Sequence, residues 1–174
     1  MLTGIVVLQP VPPHERWPAW AERDMARVRR ALGPACQAVH HVGSTSVPGL
    51  HAVPVIDLAA ELEGGLPAAA GMRLMVHGFV AAAPEASCTL HFVDDVLTGH
   101  RRVELRCYPA GHEDVRMLAA FFALLRSAPA IAAEYDAMKR TAYARHGAGS
   151  PGYHAEKQGW MRGHAAACQA GTRP

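Results

Sequence analysis

The residues best suited to chemistry lie in one short segment, residues 40–50, and in an apolar run just after it. Gly43, Ser44 and Thr45 end an apolar stretch, and glycine lets the backbone turn and approach a ligand closely. Hydroxyl and backbone N–H groups of such a turn can donate hydrogen bonds to phosphate oxygens. Asp57 lies within the run VPVIDL, where burying a charge is costly unless it is paired or bound to a metal. The pattern predicts a phosphate-binding turn beside a carboxylate that holds a divalent cation.

The block GSTSVPGL at residues 43–50, the VPVIDL run and the helical C-terminal region are similar to the GrpB family, also named UPF0157, a branch of the nucleotidyltransferase superfamily. The resemblance implies an α/β (α+β) fold, a nucleotidyltransferase-like mixed β-sheet with flanking helices and a helical C-terminal region. It also implies a site in which a Gly-Ser turn, an acid-x-acid pair and a third carboxylate hold two metal ions. Gly43, Ser44 and Asp57 match this pattern, but Ala59 replaces the second acid, which is generally absent from the family as well.

A further departure from the family pattern lies on a later predicted strand, where Glu104-Leu105-Arg106 replaces a His-x-His element. Side chains alternate along a strand, so Glu104 and Arg106 point to the same face. Two interpretations stay open. Glu104 replaces a missing metal ligand and Arg106 binds phosphate in a bidentate manner, or the two form an ordinary ion pair on a solvated strand, which is worth little.

The only lysines of the chain, Lys139 and Lys157, each follow a tyrosine by four residues, Tyr135 and Tyr153. This spacing places each pair on one face of a helix, and all four positions match the family pattern. In one hypothesis the lysines are aimed at the Gly-Ser turn and complement nucleotide phosphates, while the tyrosines stack on a base or position the lysines. In the other, both pairs fasten the helices to the sheet.

His41 matches a histidine that precedes the Gly-Ser turn in the family motif. Two roles are open for it. It fixes the phosphate loop through a hydrogen bond, or it carries a proton, because imidazole titrates close to neutral pH. The other histidines are scattered and indicate no metal site.

Length and composition predict a single domain over residues 1–174, with 50% hydrophobic and 18% charged residues. No apolar run reaches the roughly 18 residues of a membrane span, and the first residues lack signal-peptide features, so we expect a cytoplasmic protein without membrane contact. Four widely spaced cysteines without a CxxC pair argue against a zinc knuckle and a disulfide framework. The net charge of +2 and the scattered arginines argue against nucleic acid as principal partner.

Hydrophobic periodicity predicts helices and strands in alternation, followed by a helical C-terminal region. The predicted helices cover residues 14–32, 66–77, 113–127, 130–146 and 153–168. The predicted strands cover residues 38–42, 53–60, 79–83, 89–94 and 101–108, and the last two form a hairpin. Strand 53–60 is apolar on both faces, which indicates a central strand.

Two function classes follow. In the first, the protein transfers a nucleotidyl group from a nucleoside triphosphate to an unknown small-molecule or protein acceptor, with Asp57 and Glu104 as catalytic residues that bind Mg²⁺ or Mn²⁺. In the second, the domain has lost the metal cage and is a non-catalytic nucleotide-binding or structural domain. Glu104 discriminates between them, since a side chain facing Asp57 favours the enzyme and one facing solvent favours the second class. The predicted nucleotide- and phosphate-binding residues are His41, Gly43, Ser44, Thr45, Arg106, Lys139, Tyr153 and Lys157.

Overall fold

The computed structural model describes residues 9–82, 90–94, 102–147 and 149–169. The helices in this part are α1 (Trp17–Leu32), α2 (Ala68–Val76), α3 (Glu113–Ser127), α4 (Pro129–His146) and α5 (Pro151–Gln169). The strands are β1 (Cys36–Val42), β2 (Val55–Leu62), β3 (Val80–Ala82), β4 (Leu90–Asp94) and β5 (Arg102–Pro109). Short 3₁₀ turns cover Gly33–Ala35 and Ser44–Ser46.

Helix α3 begins at Glu113 as predicted, whereas the other four predicted helix starts differ from the observed ones by one to three residues. A proline lies at or beside each of these four starts. Helices α4 and α5 begin at Pro129 and Pro151, and α1 carries Pro18 in its first turn. Proline has no N–H to lose at these positions, and its fixed φ suits the first helical turn. The predicted starts at residues 130 and 153 were therefore slightly late, and the start at residue 14 was early.

The sheet has the strand order β1-β2-β5-β4-β3. Strands β2 and β5 run parallel, and the other neighbouring strands pair antiparallel, so the predicted mixed sheet is confirmed. The hairpin prediction is confirmed by the antiparallel pairing of β4 with β5. Strand β2 lies between β1 and β5, as its apolar sequence predicted.

Alternation along β2 divides its side chains between two hydrophobic clusters. Ile56 and Leu58 belong to the cluster that contains the buried residues of α1 and α2, whereas Ala59 belongs to the cluster formed with α3, α4 and α5. Asp57 lies between Ile56 and Leu58 in sequence, so its side chain leaves the strand on the same face as Ala59. The fold thus directs Asp57 towards the three C-terminal helices.

Within the ranges given above, no single helix is long and apolar enough to cross a membrane. Helices α3 and α4 meet the length and composition requirement only when taken together, and they are bent by 112° at their junction.

Candidate functional site

A cleft of about 1010 Å³ lies between the Asp57 face of the sheet and helices α3, α4 and α5. Eight of the predicted site residues line it, and they come from both ends of the chain. These residues are Gly43, Ser44, Asp57, Glu104, Arg106, Lys139, Tyr153 and Lys157. His41 and Thr45 are not among the residues that line it. Asp57 therefore opens into the same cleft as the turn of Gly43 and Ser44, hereafter the Gly-Ser turn.

The Gly-Ser turn is shaped by a glycine that no other residue can replace without strain. Gly43 has φ 77° and ψ 176°, a combination that is essentially confined to glycine. A Cβ atom at this position would lie 2.3 Å from Oδ2 of Asp57. The Gly43 carbonyl accepts hydrogen bonds from the N–H of Ser46 at 3.1 Å and from its hydroxyl at 2.7 Å. The missing side chain thus lets the backbone of the turn approach the carboxylate.

His41 and Thr45 support the turn instead of lining the cleft. His41 is in register with Leu58, so its side chain leaves β1 on the face of the α1 cluster. The Thr45 hydroxyl donates to the Val55 carbonyl at 2.9 Å, and His41 Nε2 lies 3.0 Å from the same hydroxyl oxygen. Because the hydroxyl has one proton to donate, His41 Nε2 must carry a hydrogen and donate to Thr45.

The ionisation of His41 agrees with this supporting role. Burial lowers the pKa of His41 from 6.5 to about 4, although the negative charge of Asp57 acts in the opposite direction. The ring is therefore neutral at pH 7. Of the two roles open from the sequence, the structure favours the loop-fixing hydrogen bond over a proton carrier near neutral pH.

Asp57 and Glu104 stand directly opposite each other in the parallel pairing of β2 and β5, so both face the cleft. Arg106 lies between the two carboxylates. Its Nη1 donates to Asp57 Oδ1 at 3.0 Å, and its Nη2 donates to Glu104 Oε2 at 2.8 Å. The three side chains are 25%, 17% and 21% exposed for Asp57, Glu104 and Arg106. Glu104 therefore faces Asp57, as the metal-ligand interpretation requires, and is also ion-paired with Arg106, as the other interpretation requires.

The carboxylates as arranged do not fit the two-metal site that the resemblance implies. Ala59, where the superfamily carries a second acid, is buried and stands opposite Arg106 in the strand register. In the described part of the chain, no three His, Cys, Asp or Glu side chains are grouped so that they could hold a metal ion. A guanidinium already occupies the facing oxygens of both carboxylates. A divalent cation could bind there only if Arg106 were displaced.

Lys139 connects α4 to the Gly-Ser turn. Its Nζ donates to Ser44 Oγ at 3.1 Å and to the carbonyl of His51, and it lies 3.5 Å from Asp136 Oδ1. The side chain is only 6% exposed. Burial lowers the pKa of Lys139 to about 8, and the neighbouring Asp136 carboxylate limits the decrease. At pH 7 the turn therefore has a buried ammonium group beside its serine.

The two tyrosines of the predicted pairs have different surroundings. Tyr135 is fully buried, with its ring 5.3 Å from that of Phe121 and 5.1 Å from that of Trp160, and burial raises its pKa. These contacts assign Tyr135 to the core under α3, α4 and α5. Both tyrosines also line the cleft, and their ring centres lie 5.1 Å from Nζ of Lys139 for Tyr135 and 5.2 Å from Nζ of Lys157 for Tyr153.

Lys157 faces the carboxylate pair from α5. Burial lowers the pKa of Lys157, while the negative charges of Asp57 and Glu104 favour its protonated form and Arg106 opposes it. Apart from the Tyr153 ring, no hydrogen bond or ion pair connects the Lys157 ammonium to any residue that the structure describes. Lys157 is thus one cation of the cleft that is available for an anionic ligand.

Sequence reasoning missed two residues of the site, His51 and Asp136. One oxygen of Asp136 accepts a hydrogen bond from the backbone N–H of His51, and the other lies 3.0 Å from the ring Nδ1. Asp136 also lies 3.4 Å from Nε of Arg140. The spacing of Asp136 from Lys139 and Arg140 was a visible helical ion-pair signal. The contact with His51 joins positions 85 residues apart and left no local signal.

Comparisons with solved structures show where this architecture occurs. The crystal structure of the conserved protein GrpB from Enterococcus faecalis matches with a TM-score of 0.74 at 20% identity, over 92% of this chain and 99% of that one. Structures of the Cid1 poly(U) polymerase bound to Mg 3'-dATP and to MgGTP match with TM-scores of 0.55 and 0.54 at 14% identity. They cover 83% and 80% of this chain but 49% and 46% of the polymerase chain. The fold is thus nucleotidyltransferase-like.

Sequence relatives are longer than this chain. It is 25% identical over 152 residues to UPF0157 protein YqkA of Bacillus subtilis, covering 86% of this chain and 43% of that protein. It is 32% identical over 177 aligned residues to the dephospho-CoA kinase of Mycolicibacterium paratuberculosis, covering 87% of this chain and 44% of that protein. The chain therefore spans less than half the length of these relatives. The profile described as GrpB protein matches residues 7–166, which include the Gly-Ser turn, both carboxylates and both lysines, and the chain accordingly belongs to the GrpB family.

Proposed function

We propose that the cleft binds a nucleoside triphosphate, with its phosphates against the Gly-Ser turn. The observation that carries this proposal is the 3.1 Å contact between Lys139 Nζ and Ser44 Oγ. It joins a buried cation to a glycine-containing turn, and both features complement the charge and the oxygens of a phosphate. The Cid1 structures, which were determined with Mg 3'-dATP bound and with MgGTP bound, support the choice of ligand class.

The dimensions and charge of the cleft agree with a nucleotide ligand. Its volume of about 1010 Å³ lies at the upper end of the range for small-molecule sites. Lys157 from α5 lines the same cleft as Lys139 from α4, close enough that the charge of Lys157 acts on Lys139. Arg140 and Arg162 also line the cleft, so both α4 and α5 supply cations to it.

Nucleotidyl transfer to an unknown small-molecule or protein acceptor is the second candidate function. The direct opposition of Glu104 and Asp57 across β2 and β5 favours it. In this candidate the two carboxylates are the catalytic residues and hold Mg²⁺ or Mn²⁺, which requires Arg106 to leave the space between them. Binding without transfer makes no such demand on Arg106, and for this reason binding is the first candidate.

A thermal-shift experiment tests nucleotide binding. ATP, GTP, CTP and UTP are added separately at millimolar concentration, with EDTA or with Mg²⁺. A ligand at a hundredfold excess over its dissociation constant stabilises the folded state by about 2.7 kcal/mol, which raises the melting temperature by several degrees. Lys157→Met should reduce this shift, whereas Arg30→Gln, which removes an exposed cation from α1, should leave it unchanged. No shift with any of the four nucleotides would contradict the proposal.

Transfer is tested separately by pyrophosphate release. Wild type is incubated with each nucleotide and Mn²⁺, and Asp57→Asn serves as the inactive comparison because it removes the charge and keeps the shape. Pyrophosphate produced by wild type and not by the variant supports the second candidate. In this assay water is the only acceptor supplied, and equal, measurable release from both proteins would show that Asp57 has no catalytic role.

A further inference from the structure

Arg106 is a cation that lies within the cleft, between two carboxylates. Arg106 uses two nitrogens on two different carboxylates, Asp57 and Glu104. Its register neighbour on β2 is Ala59, whose small side chain offers the guanidinium no partner. The arginine therefore extends along the cleft face to the pair Asp57 and Glu104, which stands one alternation away on the two strands.

A divalent cation would have to compete with these contacts. Mg²⁺ is usually held through one or two carboxylates together with phosphate oxygens, and the two candidate carboxylates here each give an oxygen to Arg106. The other Glu104 oxygen, Oε1, lies 2.9 Å from Nε of Arg102. Binding a metal at this place would break charge-assisted hydrogen bonds, which are among the stronger polar contacts in proteins.

The local charge also opposes a dication. The two carboxylates face three cationic side chains, Arg102, Arg106 and Lys157. Arg106 contacts both carboxylates, Arg102 contacts Glu104, and the charges of both carboxylates act on Lys157. Metal sites attract a dication through an excess of negative ligands, and this cluster has none. The same cluster does not repel a phosphate, because the guanidinium neutralises carboxylates that would otherwise stand beside it.

We propose that Arg106 takes the place of a divalent metal in this cleft, so that phosphate-bearing ligands bind without metal and the pair Asp57 and Glu104 becomes a metal site only when the guanidinium is removed. The nucleotide part of this proposal rests on the proposed function, whereas the metal part depends only on the three side chains. The two parts are therefore tested by separate measurements.

The metal part is tested by titrating Mn²⁺, followed by electron paramagnetic resonance, in the absence of any nucleotide. Wild type should show no site at Asp57, while Arg106→Gln should gain one site that binds at least about tenfold more tightly than any site of wild type. Arg102→Gln is the matched control, since it removes a cation that contacts Glu104 but leaves the bridge between the two carboxylates. Adding Asp57→Asn to Arg106→Gln should abolish the gained site.

Two outcomes of this titration would overturn the proposal. One is a tight Mn²⁺ site in wild type that Asp57→Asn removes, a result that needs no Arg106 variant. The other is a folded Arg106→Gln protein, checked by circular dichroism, that gains no site. If Arg106→Gln does not fold, Arg106→Lys and the wild-type titration decide, because lysine keeps the charge and should keep Mn²⁺ out.

The nucleotide part is tested by calorimetric titration of ATP in EDTA and in Mg²⁺. The dissociation constants should agree within about twofold in wild type. A wild-type protein that binds ATP only with Mg²⁺ would contradict the metal-free site while leaving nucleotide binding intact. If ATP binds under neither condition, the proposed function fails, and the Mn²⁺ titration still decides the role of Arg106.

Discussion

The backbone of Gly43 lies directly against the carboxylate of Asp57. A Cβ atom on Gly43 would lie 2.3 Å from Asp57 Oδ2 and 3.0 Å from the Cβ and Cγ atoms of Asp57. A larger residue at position 43 would therefore require the backbone or the Asp57 side chain to move. The contact joins the turn to β2. The residue before the glycine, Val42, is also paired with Asp57 in the register of β1 and β2. The glycine of the motif is thus required by the carboxylate of the motif as well as by its own φ of 77°.

Gly43→Ala should therefore destabilise the protein more than an alanine at another glycine of the same segment. Gly49 is the matched control, since it also has a positive φ, 84°, but has open space where a Cβ would be. Backbone strain alone costs about 1–3 kcal/mol, and overpacking adds about 1–3 kcal/mol. Urea unfolding should show the larger loss for Gly43→Ala. Equal losses for the two variants would show that the Asp57 contact is not limiting.

The low pKa of His41 makes stability depend on pH. Between pH 6.5 and about 4 the unfolded chain binds a proton at His41 that the folded chain does not bind, so stability falls as the pH falls through this range. We expect a contribution of about 2 kcal/mol between pH 6.5 and 4.5, measured by urea unfolding at both values. His41→Gln keeps a donor for Thr45 without titrating, so its loss should be smaller by this amount. Parallel profiles for the two proteins would contradict the prediction.

Nucleotide affinity should fall at alkaline pH if Lys139 assists the phosphates. Its pKa of about 8 means that the ammonium loses its proton between pH 7 and 9, and a neutral amine no longer attracts an anion. Calorimetric titration should show ATP binding weakened about tenfold from pH 7.5 to 9.5, where the phosphates are already ionised. Lys139→Arg stays charged and should bind ATP with little change over this range. The same decrease in both proteins would place the titrating group elsewhere.

Asp136 should contribute to stability mainly through the buried lysine. Asp136→Asn leaves the Lys139 ammonium, 6% exposed, with a weaker partner, and losing one member of a buried ion pair costs about 3 kcal/mol. Arg140→Gln removes the partner that is 62% exposed and should cost less than about 1 kcal/mol. The double variant Asp136→Asn, Lys139→Met should lose less than the sum of its single variants. Additive losses in a double-mutant cycle would contradict this coupling.

Local sequence patterns predicted the helices, the strands and the mixed sheet, whereas the roles of the site residues stay predictions. The run around Asp57, apolar on both faces, predicted a central strand, and the structure places this strand, β2, between β1 and β5. Gly43 and Ser44 indicated the turn since glycine allows its backbone conformation. The helices were recognisable because apolar residues recur along one face.

Tertiary structure decided which partner each polar side chain reaches. Glu104 and Arg106 were known to share a face, but the parallel register of β2 and β5 decided that Arg106 bridges Glu104 to Asp57. The two lysines looked equivalent in sequence, yet packing of α4 buries Lys139 against Ser44 while α5 leaves Lys157 facing the carboxylates. These outcomes depend on strand register, helix placement and side-chain reach between distant segments, and periodicity within a single segment carries no information about them.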